Sequence, residues 1–250
     1  MGLYLYAILP ECSACFAEQV RVTGIGDAPV QLYPLAKYLI AYSQTCEERY
    51  LASRAHLLTH EKVLETFMQA IPAQVAVPLP LRFGLIVADW QTVDQQLIVP
   101  HAHTLDKLLE KLVSKREVGI KIFWQTTAEL NFILEKDANL RRKREALAGK
   151  ILTMDEAIAI GRELENALEQ RQQLIINTFL EQLQPLCYEY VQGELLTDNM
   201  LFNAAFLIDW HTEPEFARRV QALDELFEKR YRIRYNNFTA PYNFARLEMA

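Results

Sequence analysis

From Glu117 onward the chain prescribes an order of elements that few folds can accommodate. EVGIKIFWQ, residues 117–125, alternates apolar and polar positions as a half-buried strand does. A helical stretch follows to about residue 183, and CYEYVQGEL (187–195) and MLFNAAFLID (200–209) then read as two strands joined by a turn at 196–199. Thr212 with Glu215 predicts the start of a helix reaching Lys229, with Pro214 tolerated in its first turn, and RYRIRYN (230–236) closes the set as a strand. Strand, helix, strand, strand, helix, strand is the split pattern of a ferredoxin-like sandwich.

The helical stretch 126–183 is too long for one plain crossover. Thr126 with Glu129 and Thr153 with Glu156 are two capping boxes, and Gly149 lies between them, so a break into two helices is expected. In the second helix Met154, Ile158, Gly161, Leu164 and Leu168 recur every three or four residues, which predicts one packed stripe.

The first half mixes both kinds of element. Leu3 to Leu9 is an apolar run closed by Pro10 and reads as a buried strand; further strands are expected at 19–24, 29–34 and 36–42, around GIGDAP. Thr45 with Glu48 predicts a cap for a helix from Cys46 to Ile71, which Pro72 stops. LRFGLIVA (81–88) reads as a strand and 104–115 as an amphipathic helix. The fold class is therefore α+β in two domains. Residues 1–116 form a decorated ferredoxin-like sandwich, and 117–250 a ferredoxin-like domain with the helical region 126–183 and a tail 237–250. At 250 residues each domain is long enough to bury its own core.

A net charge of -6 and a pI near 5.5 give no overall attraction to nucleic acid or anionic lipid. The opening MGLYLYAILPECSACF has no basic flank or cleavage site, and no apolar run reaches the roughly 18 residues of a membrane span, so a cytosolic address with four reduced cysteines is expected.

Chemistry-bearing motifs are sparse. Cys12 and Cys15 have the CxxC spacing of a redox pair or half a zinc site, with no second ligand pair at hand. His56 and His60 are one helical turn apart, but HLLTHEK lacks the glutamate placement of a metalloprotease, and they read as helix-surface histidines; His101 and His103 add a loop pair. The basic run Arg141 to Arg144 lies close to Glu135, Asp137 and Glu145 and reads as a salt-bridged face. No phosphate loop, nucleophile elbow or carboxylate pair is present. No catalytic, cofactor-binding or metal-ligating residue is expected; the rival reading is a cytosolic thiol-redox or metal-dependent enzyme using Cys12 and Cys15.

Four stretches together resemble one family. They are LYLYAIL at the start with PLRFG at 80–84, EVGIKIFW at 117–124, NMLFNAAFLI at 199–208 and RIRYNNFTAPYNF at 232–244, and in that order they resemble the gas vesicle protein F/L family. The resemblance implies a non-enzymatic protein needed to build the gas vesicle, an intracellular gas-filled protein shell, with the major shell protein A as partner. It implies no cofactor. Such a role makes physical sense, because subunits carrying a water-excluding surface aggregate unless held, and an aromatic-rich surface or a sheet edge can hold them. The expected location is the shell, on its gas-facing side. Aromatics at element ends are the expected partner-binding residues: Trp210, Phe238, Tyr242 and Phe244. Within TAPYNFARLEMA, residues 239–250, Pro241 is expected to turn the tail back so that Tyr242 and Phe244 cover a sheet face or the seam between the domains.

Overall fold

Seven consecutive residues of strand β1 (Gly2–Pro10), Leu3 to Leu9, are buried, as an uninterrupted apolar run requires of a strand covered on both faces. In the computed structural model, described for residues 1–147 and 153–247, β1 is the hub of the first sheet. A short helix α1 (Ala14–Ala17) follows it, then β2 (Gln31–Leu35) and β3 (Tyr38–Thr45). Helix α2 (Arg54–Ala70) leads to β4 (Leu79–Pro80) and β5 (Ile86–Val87). The sheet order is β2-β3-β1-β4, with β5 also paired to β1, and every pairing is antiparallel. Leu5 faces Tyr42 and Ala7 faces Ala41, so Tyr6 is an extra residue on β1, a bulge that locally re-aims the strand.

Several sequence expectations are corrected here. Residues 19–24 form no strand, and only Thr23 bridges, to Pro29. The backbone at Gly24 runs so close to Tyr6 that an added Cβ would sit 2.0 Å from its hydroxyl. Thr45 stays in β3: its hydroxyl bonds the Tyr50 hydroxyl at 2.8 Å and accepts the Glu47 amide at 3.0 Å, so it is not free to cap. Helix α2 starts later, where Ser53 accepts the amide of His56. LRFGLIVA is broken at Gly84, whose φ of +82° turns the chain between β4 and β5. The next helical stretch begins earlier than Thr104: α3 (Trp90–Val93) runs through a π-helical segment, Asp94–Ile98, into α4 (Val99–Leu112), with Pro100 in the first turn where its missing N–H is harmless.

The remaining elements are β6 (Lys115–Phe123), α5 (Thr126–Lys136), α6 (Ala138–Leu147), α7 (Met154–Leu183), β7 (Glu189–Gln192), β8 (Met200–Asp209), α8 (Glu213–Leu226) and β9 (Arg232–Thr239). Their strands form a four-stranded sheet of order β7-β8-β6-β9, so the protein is α+β with two antiparallel sheets. Thr153 and Glu156 make both bonds of a capping box at the start of α7. The box at Thr126 is not made: Gln125 precedes α5 without a side-chain cap, and Glu129 is taken by arginines. Gly149 lies outside the described residues. The stripe expected on α7 is not packed along its length. Met154 is 81% and Ile158 44% exposed, Gly161 is exposed, and burial is confined to Ile175, Ile176, Phe179 and Leu183 in the last turns.

Contacts divide the chain into two compact units, one comprising Met1–Val118, Ala205–Glu213 and the chain from Asn236, the other Gly119–Ala204 and Pro214–Tyr235.

Candidate functional site

In the first unit the tail closes over a buried set of polar groups that β1, α2 and β6 bring together. On α2, His60 shares the inward stripe with Val63, Leu64 and Phe67, three, four and seven residues on, which is why it is 2% exposed rather than a surface histidine. The Leu81 carbonyl can only accept, so Nε2 of the neutral His60 ring carries the proton and Nδ1 accepts from the Tyr4 hydroxyl at 2.9 Å, which itself accepts the Gly84 amide at 3.0 Å. His60 Nε2–H then donates to the Leu81 carbonyl at 3.2 Å. Every hydrogen-bonding position of the ring is used by the neutral tautomer. Burial lowers the His60 pKa to about 4, the Leu81 carbonyl opposing it. Tyr6, next on the same strand, accepts the Ile25 amide and donates to Ser43, and burial pushes its pKa up as it does that of Tyr4.

The tail is fastened by two carboxylates. Glu61 accepts from the Thr239 hydroxyl at 2.9 Å and the Ala240 amide at 3.2 Å. Glu117, 4% exposed on β6, accepts the Asn243 amide at 2.9 Å and its side-chain Nδ2 at 2.6 Å. Burial raises the Glu117 pKa to about 7; the Asn243 bonds and Arg246 pull it down, and Glu61 pushes it further up. Tyr242 stacks over His60 with ring centroids 6.4 Å apart, and burial followed by the charge of Glu61 raises its pKa.

The four aromatics expected to meet a partner all fall in this unit. Trp210 and Phe238 are half-buried and meet edge to face at 5.9 Å. The Arg116 guanidinium lies 4.8 and 5.2 Å from their ring centres and donates to the Asn237 carbonyl. Tyr242 is half-buried, and Phe244 is 3% exposed with Lys111 Nζ 5.6 Å from its ring centre. Sequence reasoning missed Tyr4, His60, Glu61 and Glu117. The usable signals were a histidine in register with an apolar helix stripe and a glutamate in an otherwise apolar strand.

The other motifs are not gathered into a site. Cys12 and Cys15 are both exposed, on a 3₁₀ turn and on α1. His56 bonds the Leu51 carbonyl, away from the bonds of His60. Lys143 of the basic run pairs with Glu163 at 2.8 Å. Among the described residues no group of three or more His, Cys, Asp or Glu is placed to hold a metal, and no helix is long and apolar enough to cross a membrane.

Comparisons with known proteins give one result across the whole chain. Residues 2–246 match the family described as gas vesicle synthesis protein GvpL/GvpF. Gas vesicle protein F of Dolichospermum flosaquae is 46% identical over 246 residues, 98% of each chain, and that of Microcystis aeruginosa is 44% identical over 247 residues, 99% of each. The crystal structure of GvpF from an Anabaena species superposes with a TM-score of 0.83 at 40% identity, covering 99% of this chain and 97% of that one. That of GvpF from Microcystis aeruginosa gives 0.82 at 45% identity, covering 98% and 99%. With motifs, fold and full-length identity in agreement, this chain belongs to the GvpL/GvpF family of gas vesicle proteins.

Proposed function

We propose that the chain is a structural and assembly protein of the gas vesicle, a minor shell-associated component that binds the major shell protein A while the vesicle forms. It resides in the cytoplasm on the shell, on the gas-facing side. The observation that carries this reading is the likeness over essentially the full length to proteins named gas vesicle protein F. The local chemistry supports it too. The buried titratable groups beside the tail, His60, Glu117, Tyr4 and Tyr242, are engaged by the chain itself, and Glu117 holds the tail.

Trp210, Phe238 and Tyr242 are proposed to present ring surface to the partner, and buried Phe244 to anchor the tail that carries Tyr242. The two sheets are inferred to be variants of one ferredoxin-like plan. Each takes its second, third, first and fourth strands in that spatial order when β5 is set aside, with helices following the first and third strands.

The test is association. Tagged protein is expected to capture shell protein A and to remain on gas vesicles washed free of adventitious protein. Failure of both would overturn the reading.

A further inference from the structure

Two neighbouring hollows in the first unit share Leu85 and His101 as a common wall. The larger, about 700 Å³, is lined by Arg82 and Arg246 together with Leu81, Ala245 and Leu247. The smaller, about 390 Å³, continues along Val87, Val93, Leu97 and Pro100 with no arginine, lysine or carboxylate in its wall. No carboxylate lines the larger one either, although the protein carries a net charge of -6. Arg82 is exposed and makes no ion pair among the described residues. Together they form a groove with a cationic end and an apolar run, of a size that encloses a ligand segment.

We propose that this groove docks an apolar peptide segment of a partner protein that carries a carboxylate. The carboxylate sits at the Arg82 and Arg246 end, and the neighbouring apolar side chains follow Leu85 toward Val87 and Pro100. Guanidinium groups suit a carboxylate because they offer paired N–H donors that match its two oxygens. Thr92, Gln96 and Thr104 line the same walls and supply donors and acceptors that a peptide backbone uses and an acyl chain does not. This rests on the reading that the chain holds an apolar shell protein, and adds to the aromatic face a groove that meets it at Tyr242, with the chemistry of its occupant.

The experiment uses the full chain and a fluorescein-labelled octapeptide of Leu, Val and Ile with one central Glu, read by fluorescence anisotropy. Counterparts carrying Gln or Lys in place of that Glu are titrated alongside. The Glu peptide is expected to bind about tenfold more tightly than the Gln peptide. The double variant R82A/R246A is expected to lose that preference with an unchanged circular dichroism spectrum, and Leu85→Asp to lose binding of all three. Equal binding of the three peptides, or an unchanged preference in R82A/R246A, overturns the proposal. So does competition by decanoate as effective as unlabelled peptide, which would make the occupant a lipid-like anion. Capture of shell protein A separates the two levels. If wild type and R82A/R246A capture it equally, the groove is wrong and the shell reading stands. If the arginines select the Glu peptide while shell protein A is not captured, the groove stands and the shell reading fails.

Discussion

The two units bury a glutamate in opposite ways. In the second, Glu129 is 2% exposed and meets two cations, Arg171 Nε at 3.1 Å and Arg230 Nη1 at 2.8 Å. The rings of Phe132 and Tyr231 flank the guanidiniums, with Arg230 3.8 Å from the centre of Phe132 and Arg171 donating to the Tyr231 hydroxyl. In the first, Glu117 accepts the neutral donors of Asn243 and makes no ion pair among the described residues, and its pKa rises to about 7. Counter-charge offsets burial in one unit; in the other, burial beside neutral donors pushes the carboxyl up. The first arrangement fixes helices of a core; the second makes the grip on the tail sensitive to pH near neutrality.

The largest effect should come from removing what Glu61 and Glu117 hold. Truncation after Asn237 discards buried Ala240, Phe244 and Ala245 and leaves two carboxylates without donors, so a loss of about 5 kcal/mol is expected in urea unfolding. Intact stability with lost association to the vesicle would instead make the tail a contact surface only. Glu129→Ala tests the other side of the comparison. Two part-buried guanidiniums lose their counter-charge, and a loss of about 3 kcal/mol is expected; a loss below about 1 kcal/mol would mean that water screens the triad.

A smaller, pH-dependent effect distinguishes the two glutamates. With its folded pKa raised, Glu117 makes the folded state hold more protons between about 4.5 and 7, so its contribution falls as pH rises through that window. The lowered pKa of His60 does the reverse: its contribution rises with pH between about 4 and 6.5 and is lost on acidification. The two nearly cancel across the overlap. Glu117→Gln should therefore gain on the order of 2 kcal/mol over wild type at pH 8 and little at pH 4, exposing the climb due to His60. Parallel stability curves for variant and wild type would contradict this. The smallest effect is Thr153→Ala, about 1 kcal/mol from loss of the working capping box at the start of α7, read as helicity by circular dichroism.

Strands were legible where an apolar run or an alternation decides them, as in β1, β6 and β8. What local motifs gave was less secure. The pattern of Thr followed three residues later by Glu was read as a cap at Thr45, Thr126, Thr153 and Thr212; Thr153 builds the box, and Thr45 and Thr126 do not. A cap stabilises by about 1 kcal/mol, so a tertiary partner displaces it: Tyr50 takes Thr45, and Arg171 with Arg230 take Glu129. Likewise the apolar stripe on α7 was read correctly as periodic, but periodicity does not say where a long helix meets its core. The candidate site was legible only at the tail, where Tyr242 and Phe244 stood out against the composition of a free end. Its partners lie up to 239 positions away, between Tyr4 and Asn243, and no spacing rule links them.

Amide hydrogen exchange across the tail tests most directly whether it is fastened. The Ala240 and Asn243 amides, bonded to Glu61 and Glu117, are expected to exchange as slowly as those of β1 at neutral pH and to open together in Glu117→Ala. Exchange at the rate of an unstructured chain end in the wild-type protein would show that the tail is not held and would contradict the account.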